Sequence, residues 1–386
     1  GSRLLETRGF TVPSNLTQMS AAEYDKILYG NMTPSMAAAY LQERDIPLRN
    51  FPQVLQSMYP GADLLPRLVE YLSRIGPEEG GASVQSLGKK AHNWLSGRNV
   101  PASREDYFRI AFALGLGESQ LNTLLGLFTD YGIQYRDGRE LVFAWFLRHG
   151  YGYLEALRFY GALPPAPGME RLEPGRNSQL THELHNRFQL IQTTEELRHC
   201  YLENLEYFGS LHLRAYYYFQ GYLDQLIHPV PSWDDGEEPD YSIETVMNTY
   251  LSMQVPSGAK RSHYSLIQKL IRQNWPNTTA LNNIRNHKLD VPRKLLLLLY
   301  VVTENTGDTG DPYRELDESY ITLEERLEDH WWTLNAMLSD CGMAPLDLRN
   351  PFDWLILYAI CADESEYMSD RMEQVLAHLF PENKAL

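Results

Sequence analysis

The sequence predicts an all-α protein in which a duplicated multi-helix unit is joined by long central helices. Apolar residues recur at intervals of three and four through most long segments, whereas the alternating pattern of half-buried strands is scarce. Pro and Gly interrupt this periodicity, so helix ends are expected there. Two stretches, 51–163 and 243–380, carry similar features in the same order, which is typical of an internal repeat.

The periodic segments divide the chain into four regions. They are an N-terminal helical segment (1–50), unit one (51–163), a linker with long aromatic-rich helices (164–242), and a divergent unit two with an acidic insertion (243–386). The Pro- and Gly-rich stretch 162–175 is the predicted linker, and one or two long helices are expected within 178–227. The helices predicted before the linker lie near 19–29, 34–44, 51–58, 63–75, 83–96, 103–115, 118–128, 137–149 and 151–160.

The clearest element shared by the two units is a short helix followed by a basic turn and Val-Pro. Its sequence is HNWLSGRNVP in unit one and NNIRNHKLDVP in unit two. In this alignment Asn93 matches Asn283 and Arg98 matches Lys288, with Asp290 as one extra residue. Each unit continues with a Leu-Asn-containing helix, a Gly-containing loop and an aromatic-rich helix, which supports the duplication.

Composition limits the class of protein. A chain of 386 residues holds two or three domains, and 43% hydrophobic residues are enough for ordinary cores. Cys200, Cys341 and Cys361 lack the spacing of close disulfides or metal ligands, which favours a reducing, cytoplasmic setting. No segment reaches about 18 uninterrupted apolar residues, so no membrane partner is expected.

The net charge of −16 argues against nucleic acid, because phosphate binding normally requires Lys and Arg. The charge is unevenly distributed along the chain. Residues 304–329 hold ten acids against two arginines, and 232–244 hold six acids without Lys or Arg. In contrast, 260–294 hold eight Lys and Arg against one acid, and 81–110 hold five against two. A surface polarised in this way can dock a polyanion on one side.

The predicted helix at 83–96 has an apolar face and a polar face. Helical spacing places Val84, Leu87, Ala91, Trp94 and Leu95 on the apolar face. The remaining surface carries Gln85, Lys89, Lys90, His92 and Asn93, and Arg98 follows in the turn. Asn pairs with adenine and Lys reaches guanine or phosphate, so these residues suit the major groove of double-stranded DNA. The alternative is that the charges only solvate an exposed helix.

The segment SLGKKAHNWLSGRNVPASREDYFRIAFALGLGESQLNTLLG resembles the second half of a phage-repressor-like (XRE) helix-turn-helix domain. The likeness lies in Trp94 after Asn93, in Gly97 and Arg98, in Pro101 and in the ALGL helix end, and it extends over about 51–127. The resemblance implies operator binding through Gln85, Lys89, His92 and Asn93, with Arg98 near the DNA backbone. The chain departs from the family in the long, Gly-rich connection IGPEEGGAS before this helix.

Unit two matches that pattern less well, because the polar face of its short helix lacks the two lysines. Its basic residues are predicted to contact phosphates without reading bases, which positions a protein on DNA but does not specify sequence. These predicted contacts are Arg272, Asn283, Arg285, His287, Lys288, Arg293 and Lys294. The alternative is a degenerate repeat that is retained for packing.

No enzyme, cofactor or metal site is predicted, because the chain has no Gly-rich phosphate loop, nucleophile elbow or paired metal motif in a suitable context. His182 and His185 are three apart on a predicted helix, and a solvated face explains them better than a metal. The aromatic residues of 201–222 are predicted to be core or a surface for a homodimer or a protein partner.

Two functions are consistent with these observations. The first is a cytoplasmic, bacterial or phage-derived DNA-binding transcriptional regulator, in which unit one reads bases and unit two adds phosphate contacts or a dimer surface. The second is a non-enzymatic protein-interaction adaptor that retains the helix-turn-helix fold and binds a basic partner through its acidic and aromatic surfaces. The net charge favours the second, and the basic, Asn-bearing helix of unit one favours the first.

Overall fold

A computed structural model describes residues 14–43, 50–76, 84–165, 183–209, 212–229, 240–258, 263–306, 322–363 and 366–382. All regular secondary structure in these ranges is helical, which confirms the predicted all-α class. The first nine helices are α1 (Ser14–Tyr29), α2 (Pro34–Gln42), α3 (Phe51–Met58), α4 (Leu64–Ile75), α5 (Val84–Leu95), α6 (Arg104–Leu114), α7 (Glu118–Phe128), α8 (Gly138–Arg148) and α9 (Tyr153–Gly161). No helix in the described ranges has the length and apolar character needed to cross a membrane.

The second half of the chain continues the helical pattern. Its helices are α10 (183–190), α11 (Thr194–Glu203), α12 (Leu213–Ile227), α13 (Ile243–Val246), α14 (Leu266–Arg272), α15 (Thr278–Arg285), α16 (Arg293–Thr306), α17 (Leu323–Asp340), α18 (Pro351–Ile360) and α19 (Met368–Leu379). A π-helical turn, Met247–Leu251, follows α13 directly. Side chains begin many of these helices by accepting backbone N–H bonds, as Ser103, Asp137 and Asn350 do for α6, α8 and α18.

Two hydrophobic cores define two lobes. Lobe one contains α3 to α11, and its core is built around α8, on which every residue from Glu140 to Leu147 is buried. Lobe two contains α1, α2 and α12 to α19. Its central helices are α16, buried continuously from Leu295 to Thr303, and α18, buried along its whole length. A helix that is apolar on all sides must be surrounded by others, which is how both cores are organised.

The lobes do not follow the order of the chain. The N-terminal helices pack into lobe two, where Ala37, Ala38 and Leu41 of α2 face α19. The segment 178–227, predicted as one or two long helices, contains three described α-helices and a short 3₁₀ helix, Leu205–Tyr207, and the α-helices are divided between the lobes. Thr193 accepts the N–H of Glu196 and so starts α11 as a separate helix. The chain crosses from lobe one to lobe two between α11 and α12.

Each lobe contains an arginine clasp, formed by one arginine and one buried carboxylate. In lobe one, Arg104 at the start of α6 bonds both carboxylate oxygens of Glu140 at 2.7 and 2.9 Å, and also the carbonyls of Tyr131 and Gly132. The Gln134 N–H donates to the same carboxylate. The clasp ties the start of α6 to the loop before α8.

Lobe two contains a similar arrangement. Arg293 at the start of α16 bonds both oxygens of Asp353 at 2.7 Å, and also the carbonyls of Ala344 and Pro345. The Asp347 N–H donates to Asp353. In each lobe an asparagine side chain accepts a backbone N–H from the loop eleven residues later in the sequence. Asn122 accepts the Ile133 N–H and Asn335 accepts the Leu346 N–H, both at 2.8 Å.

The lobes meet where the loop between α7 and α8 contacts the turn before α16. The Tyr131 hydroxyl donates to the Val291 carbonyl at 2.5 Å, and its ring stacks on His212 at 5.0 Å. Asp130 accepts the Arg293 N–H at 3.1 Å, so that lobe one supplies a cap for α16. Asp290, the extra residue in the second turn, accepts the His212 N–H at 2.6 Å and thereby joins the crossing segment to lobe two.

Candidate nucleic-acid interface

Helix α5 is fixed in lobe one by its apolar side. Leu87, Ala91 and Trp94 are buried, at the spacing predicted for one helix face. They pack in the core of lobe one, where α5 lies against α4 and α3. Because its inner face is fully engaged, α5 presents its outer face in a defined orientation.

The outer face of α5 carries donor groups that are available to a partner. Lys89, Lys90 and His92 are exposed, Asn93 is half-buried, and Arg98 is exposed in the turn. The side chains of these residues make no hydrogen bond or ion pair with the rest of the described chain. The side chain of Gln85 and the connection 77–83 between α4 and α5 lie outside the described residues. The sequence contains no Asp or Glu from 84 to 104, so nothing on this helix repels a phosphate.

A tight turn ends α5 and positions Arg98. The Arg98 N–H donates to the Asn93 carbonyl at 3.1 Å, and the Gly97 N–H donates to the Trp94 carbonyl at 3.3 Å. This closure requires a left-handed residue, and Gly97 has φ +80°. A Cβ at Gly97 would meet no atom of the described residues within 4 Å, so that part of the chain leaves the outer side of the turn open.

The corresponding turn after α15 has the same hydrogen bonds but different surroundings. The Lys288 N–H donates to the Asn283 carbonyl at 2.8 Å, and the His287 N–H donates to the Ile284 carbonyl at 3.0 Å. The left-handed position is held by His287, with φ +58°. The His287 ring packs against Tyr216 of α12 with centroids 4.5 Å apart, so α12 covers this side of the turn.

Helix α12 also flanks the polar face of α15. Residues of α12, including Tyr216 and Asp224, face Asn282 and Arg285 across a cleft of about 400 Å³. Asp224 places a carboxylate beside this face. Of the predicted contacts in lobe two, Arg285 and Lys288 are exposed and Asn283 is half-buried.

Three of the predicted phosphate contacts in lobe two have structural roles. Arg293 is buried in its clasp with Asp353, where four of its N–H bonds are directed at protein acceptors. Lys294 donates to the carbonyls of Leu270, Ile271 and Gln273 at the end of α14. Burial lowers the pKa of Lys294 to about 8. The sequence prediction that Arg293 and Lys294 contact phosphates was wrong, because both side chains point into the protein.

Arg272 is the third predicted phosphate contact that has a structural role. Its guanidinium donates to the carbonyls of Pro256 and Gly258 at 2.9 and 2.7 Å and lies over the ring of Tyr264. It therefore holds the loop after the π-helical turn. Three of the six described Lys and Arg residues in 260–294 therefore bond to lobe two itself, and Lys260 and Arg261 lie outside the described residues.

The aromatic residues of 201–222 do not form one surface. Tyr201, Phe208 and Phe219 are buried in the two cores, whereas Tyr217, Tyr218 and Tyr222 line a cavity between the lobes. Most of the two acidic stretches, including 230–239 and 307–321, lies outside the described residues.

The other features singled out in the sequence are the cysteines and a pair of histidines. Cys200, Cys341 and Cys361 are buried free thiols. His185 lies against the ring of Tyr135, and His182 is outside the described residues. No three His, Cys, Asp or Glu side chains in the described ranges are grouped to hold a metal.

Comparisons of the chain with protein-family models, with curated proteins and with solved structures found no match.

Proposed function

We propose that this protein is a sequence-specific regulator that binds double-stranded DNA by placing α5 of lobe one in the major groove. One observation carries the proposal: α5 is held by a buried apolar face and exposes a donor-bearing face without a carboxylate. Lys89 and Asn93 are four residues apart and share one side of the helix. They are about 6 Å apart along its axis, which is close to two base-pair steps.

The roles follow from the chemistry of each side chain. Asn93 pairs with an adenine edge, Lys89 reaches guanine, and His92 adds a donor or acceptor. Arg98, in the turn, contacts a phosphate and sets the register of the helix. Lys90 lies one residue from the reading positions and contributes charge towards the backbone.

The overall negative charge is compatible with this interface. Interactions between solvent-exposed charges are largely screened beyond about 8 Å at physiological ionic strength. The acidic stretches at 232–244 and 304–329 are remote from α5 in the sequence, and no acid lies between 84 and 104. On α5 and its turn the charged side chains are Lys89, Lys90 and Arg98, and acids elsewhere on the chain reduce binding to unrelated DNA.

Lobe two contributes less to DNA binding in this proposal. Its equivalent helix, α15, is flanked by α12, and its equivalent turn is covered by Tyr216. Arg285 and Lys288 remain as exposed cations that can contact phosphates. Lobe two therefore supports a weak, sequence-independent contact beside a single reading helix.

The test is selection from a random duplex-DNA pool, with sequencing of the retained fraction at low and moderate salt. We expect an enriched motif for the parent chain, and about a 5- to 150-fold loss of affinity for that motif in Lys89→Ala/Asn93→Ala. The matched control is Lys288→Ala/Asn283→Ala, which changes the aligned positions of lobe two. It should keep the motif and lower the salt dependence by about one phosphate contact.

All four substituted side chains are exposed or half-buried, so each variant should unfold at nearly the parent temperature. Absence of DNA retention at both salt concentrations would overturn the proposal and favour the adaptor function. An unchanged motif in Lys89→Ala/Asn93→Ala would show that α5 does not read the bases.

A further inference from the structure

A cavity of about 840 Å³ lies between the two lobes. Lobe one contributes the loop from Ile133 to Asp137 and His185 of α10, and lobe two contributes one side of α12 and of α17. Small-molecule sites in proteins commonly have volumes of about 300–1,000 Å³ and are often found between domains. The cavity is distant in sequence from α5 and includes none of its residues, so it is independent of the proposed DNA contact.

The cavity is rich in aromatic surface. Tyr217, Tyr218 and Tyr222 line it from α12, and Tyr135 lines it from lobe one. Trp332 of α17 stands at the cavity with 68% of its surface exposed, and its ring stacks on no other ring of the described chain. A large aromatic side chain that is left in water beside a cavity offers a flat surface for a planar ligand.

The charges that line the cavity cancel. Arg214 donates through Nε to Asp340 Oδ2 at 2.5 Å, and the Tyr218 hydroxyl donates to the same oxygen at 3.0 Å. Among the described residues that line the cavity, the other two with charged side chains, Arg136 and Asp137, are of opposite sign. A charged ligand would lose water without finding a net countercharge, so the lining favours an uncharged molecule.

His212 supplies a directional polar group. Burial, together with the nearby Arg136, lowers its pKa to about 4, so the imidazole is neutral at physiological pH. Its Nδ1 accepts the Ala215 N–H at 3.4 Å, which places the ring proton on Nε2. No other residue of the described chain accepts that proton, and Nε2 lies beside Gly342, which also lines the cavity.

We propose that the cavity between the lobes binds an uncharged, planar aromatic small molecule that carries a hydrogen-bond acceptor. The ligand stacks on Trp332 and on the tyrosines of α12, and its acceptor receives the His212 Nε2–H. Because both lobes form the walls, the ligand stabilises one arrangement of α12 and α17 relative to the loop from Ile133 to Asp137.

The experiment uses the full chain and two neutral bicyclic probes of similar size. Coumarin has a carbonyl acceptor, and naphthalene has none. Saturation-transfer NMR detects binding, and titration gives the dissociation constant, which for an eleven-atom ligand should be on the order of 1 mM or tighter. Trp332→Ala and Ala336→Phe, which fills the cavity from α17, should each weaken coumarin binding at least fivefold.

Two comparisons separate the contributions. His212→Asn keeps an acceptor for the Ala215 N–H and should weaken coumarin about fivefold while changing naphthalene less than twofold. Tyr367→Ala removes an exposed aromatic side chain that does not line the cavity, and it should leave both probes unaffected. Thermal unfolding of each variant near the parent temperature confirms that the fold is retained.

Failure of coumarin to bind the parent chain, or binding by Trp332→Ala and Ala336→Phe as tight as that of the parent, would overturn the inference. So would light scattering that shows a dimer dissociated by Trp332→Ala, because a second copy of the chain would then cover the tryptophan. Neither result depends on whether α5 binds DNA.

Discussion

The turns after α5 and α15 have the same backbone hydrogen bonds and opposite surroundings. Arg98 and Lys288 each donate to the carbonyl five residues earlier, and a left-handed residue precedes each of them. Outside the turn of lobe one there is open space, whereas in lobe two Tyr216 covers His287. Equivalent local structure can therefore face solvent in one lobe and packing in the other, and accessibility distinguishes their potential for function.

The two arginine clasps also differ in exposure, and again the one in lobe two is the more buried. The Arg293–Asp353 pair has side-chain exposures of 10% and 0%, compared with 27% and 10% for Arg104–Glu140. Lobe two buries the arginine of its clasp more deeply than lobe one. This difference in burial agrees with the proposal that the exposed helix of lobe one contacts DNA, whereas the corresponding part of lobe two is packed within the protein.

The largest expected effect tests this difference in burial. Asp353→Ala leaves Arg293 as an uncompensated charge in the core of lobe two, and it should lower the free energy of unfolding by about 3–5 kcal/mol. Glu140→Ala should cost less, about 1–3 kcal/mol, because Arg104 retains some access to water. Urea titration gives the two values, and hydrogen exchange of α16 and α6 assigns each loss to its lobe.

The control for the clasps is Asp370→Ala, which removes an exposed carboxylate from the first turn of α19 and should cost less than about 1 kcal/mol. Equal losses for Asp353→Ala and Glu140→Ala would show that the two clasps do not differ in the way their burial indicates.

The second prediction concerns the junction of the lobes. The pKa of His212 is about 4 in the folded chain, compared with about 6.5 in an unfolded one, because burial disfavours the charged ring. Between these values the unfolded chain binds more protons, so stability is complete above pH 6.5 and is lost as pH falls towards 4. The contribution of His212 to this loss is about 3 kcal/mol.

The measurement compares the parent with His212→Asn by urea titration at several pH values from 4 to 7. Asn keeps an acceptor at the start of α12 but does not titrate, so the stability of the variant should fall less steeply. Asp137 acts in the opposite direction, because burial and Glu140 raise its pKa to about 6, and it is common to both proteins. Parallel curves for the two proteins would contradict the assignment.

The sequence predicted local structure well. The helices expected at 51–58 and 118–128 begin and end at those residues, because Asn50 and Gly117 precede them and the apolar period is regular. The alignment of Arg98 with Lys288 also matches the two turns. The break at Thr193 was missed, although Thr193 and Glu196 have the spacing of a capped helix start.

Long-range pairing was beyond what the sequence could show. Arg293 is separated from Asp353 by 60 positions, and a count of charges in a window cannot reveal such a partner. One local signal was present: Arg293 and Lys294 precede an uninterrupted apolar run, and a helix buried on all sides also buries its first residues. The cavity between the lobes depends on packing of α12 and α17 and had no pattern in the sequence.

The smallest expected effect concerns the two turns themselves. Gly97→Ala places a Cβ in a left-handed conformation at φ +80°, and it should cost about 1–2 kcal/mol although no atom clashes with the new methyl group. Gly161→Ala is the matched control, because that glycine lies in α9 without a positive φ and also has open space around it. It should stabilise the chain by about 0.5–1 kcal/mol.

In lobe two the corresponding left-handed position is occupied by His287, so the matching substitution there replaces a side chain with glycine. His287→Gly relieves the strain at φ +58° but removes the ring contact with Tyr216, and these effects nearly cancel. Urea titration should therefore give a change within about 1 kcal/mol of zero. A large loss in His287→Gly would show that contact with α12, more than the turn, maintains α15, and that the covered surface of lobe two is essential to its fold.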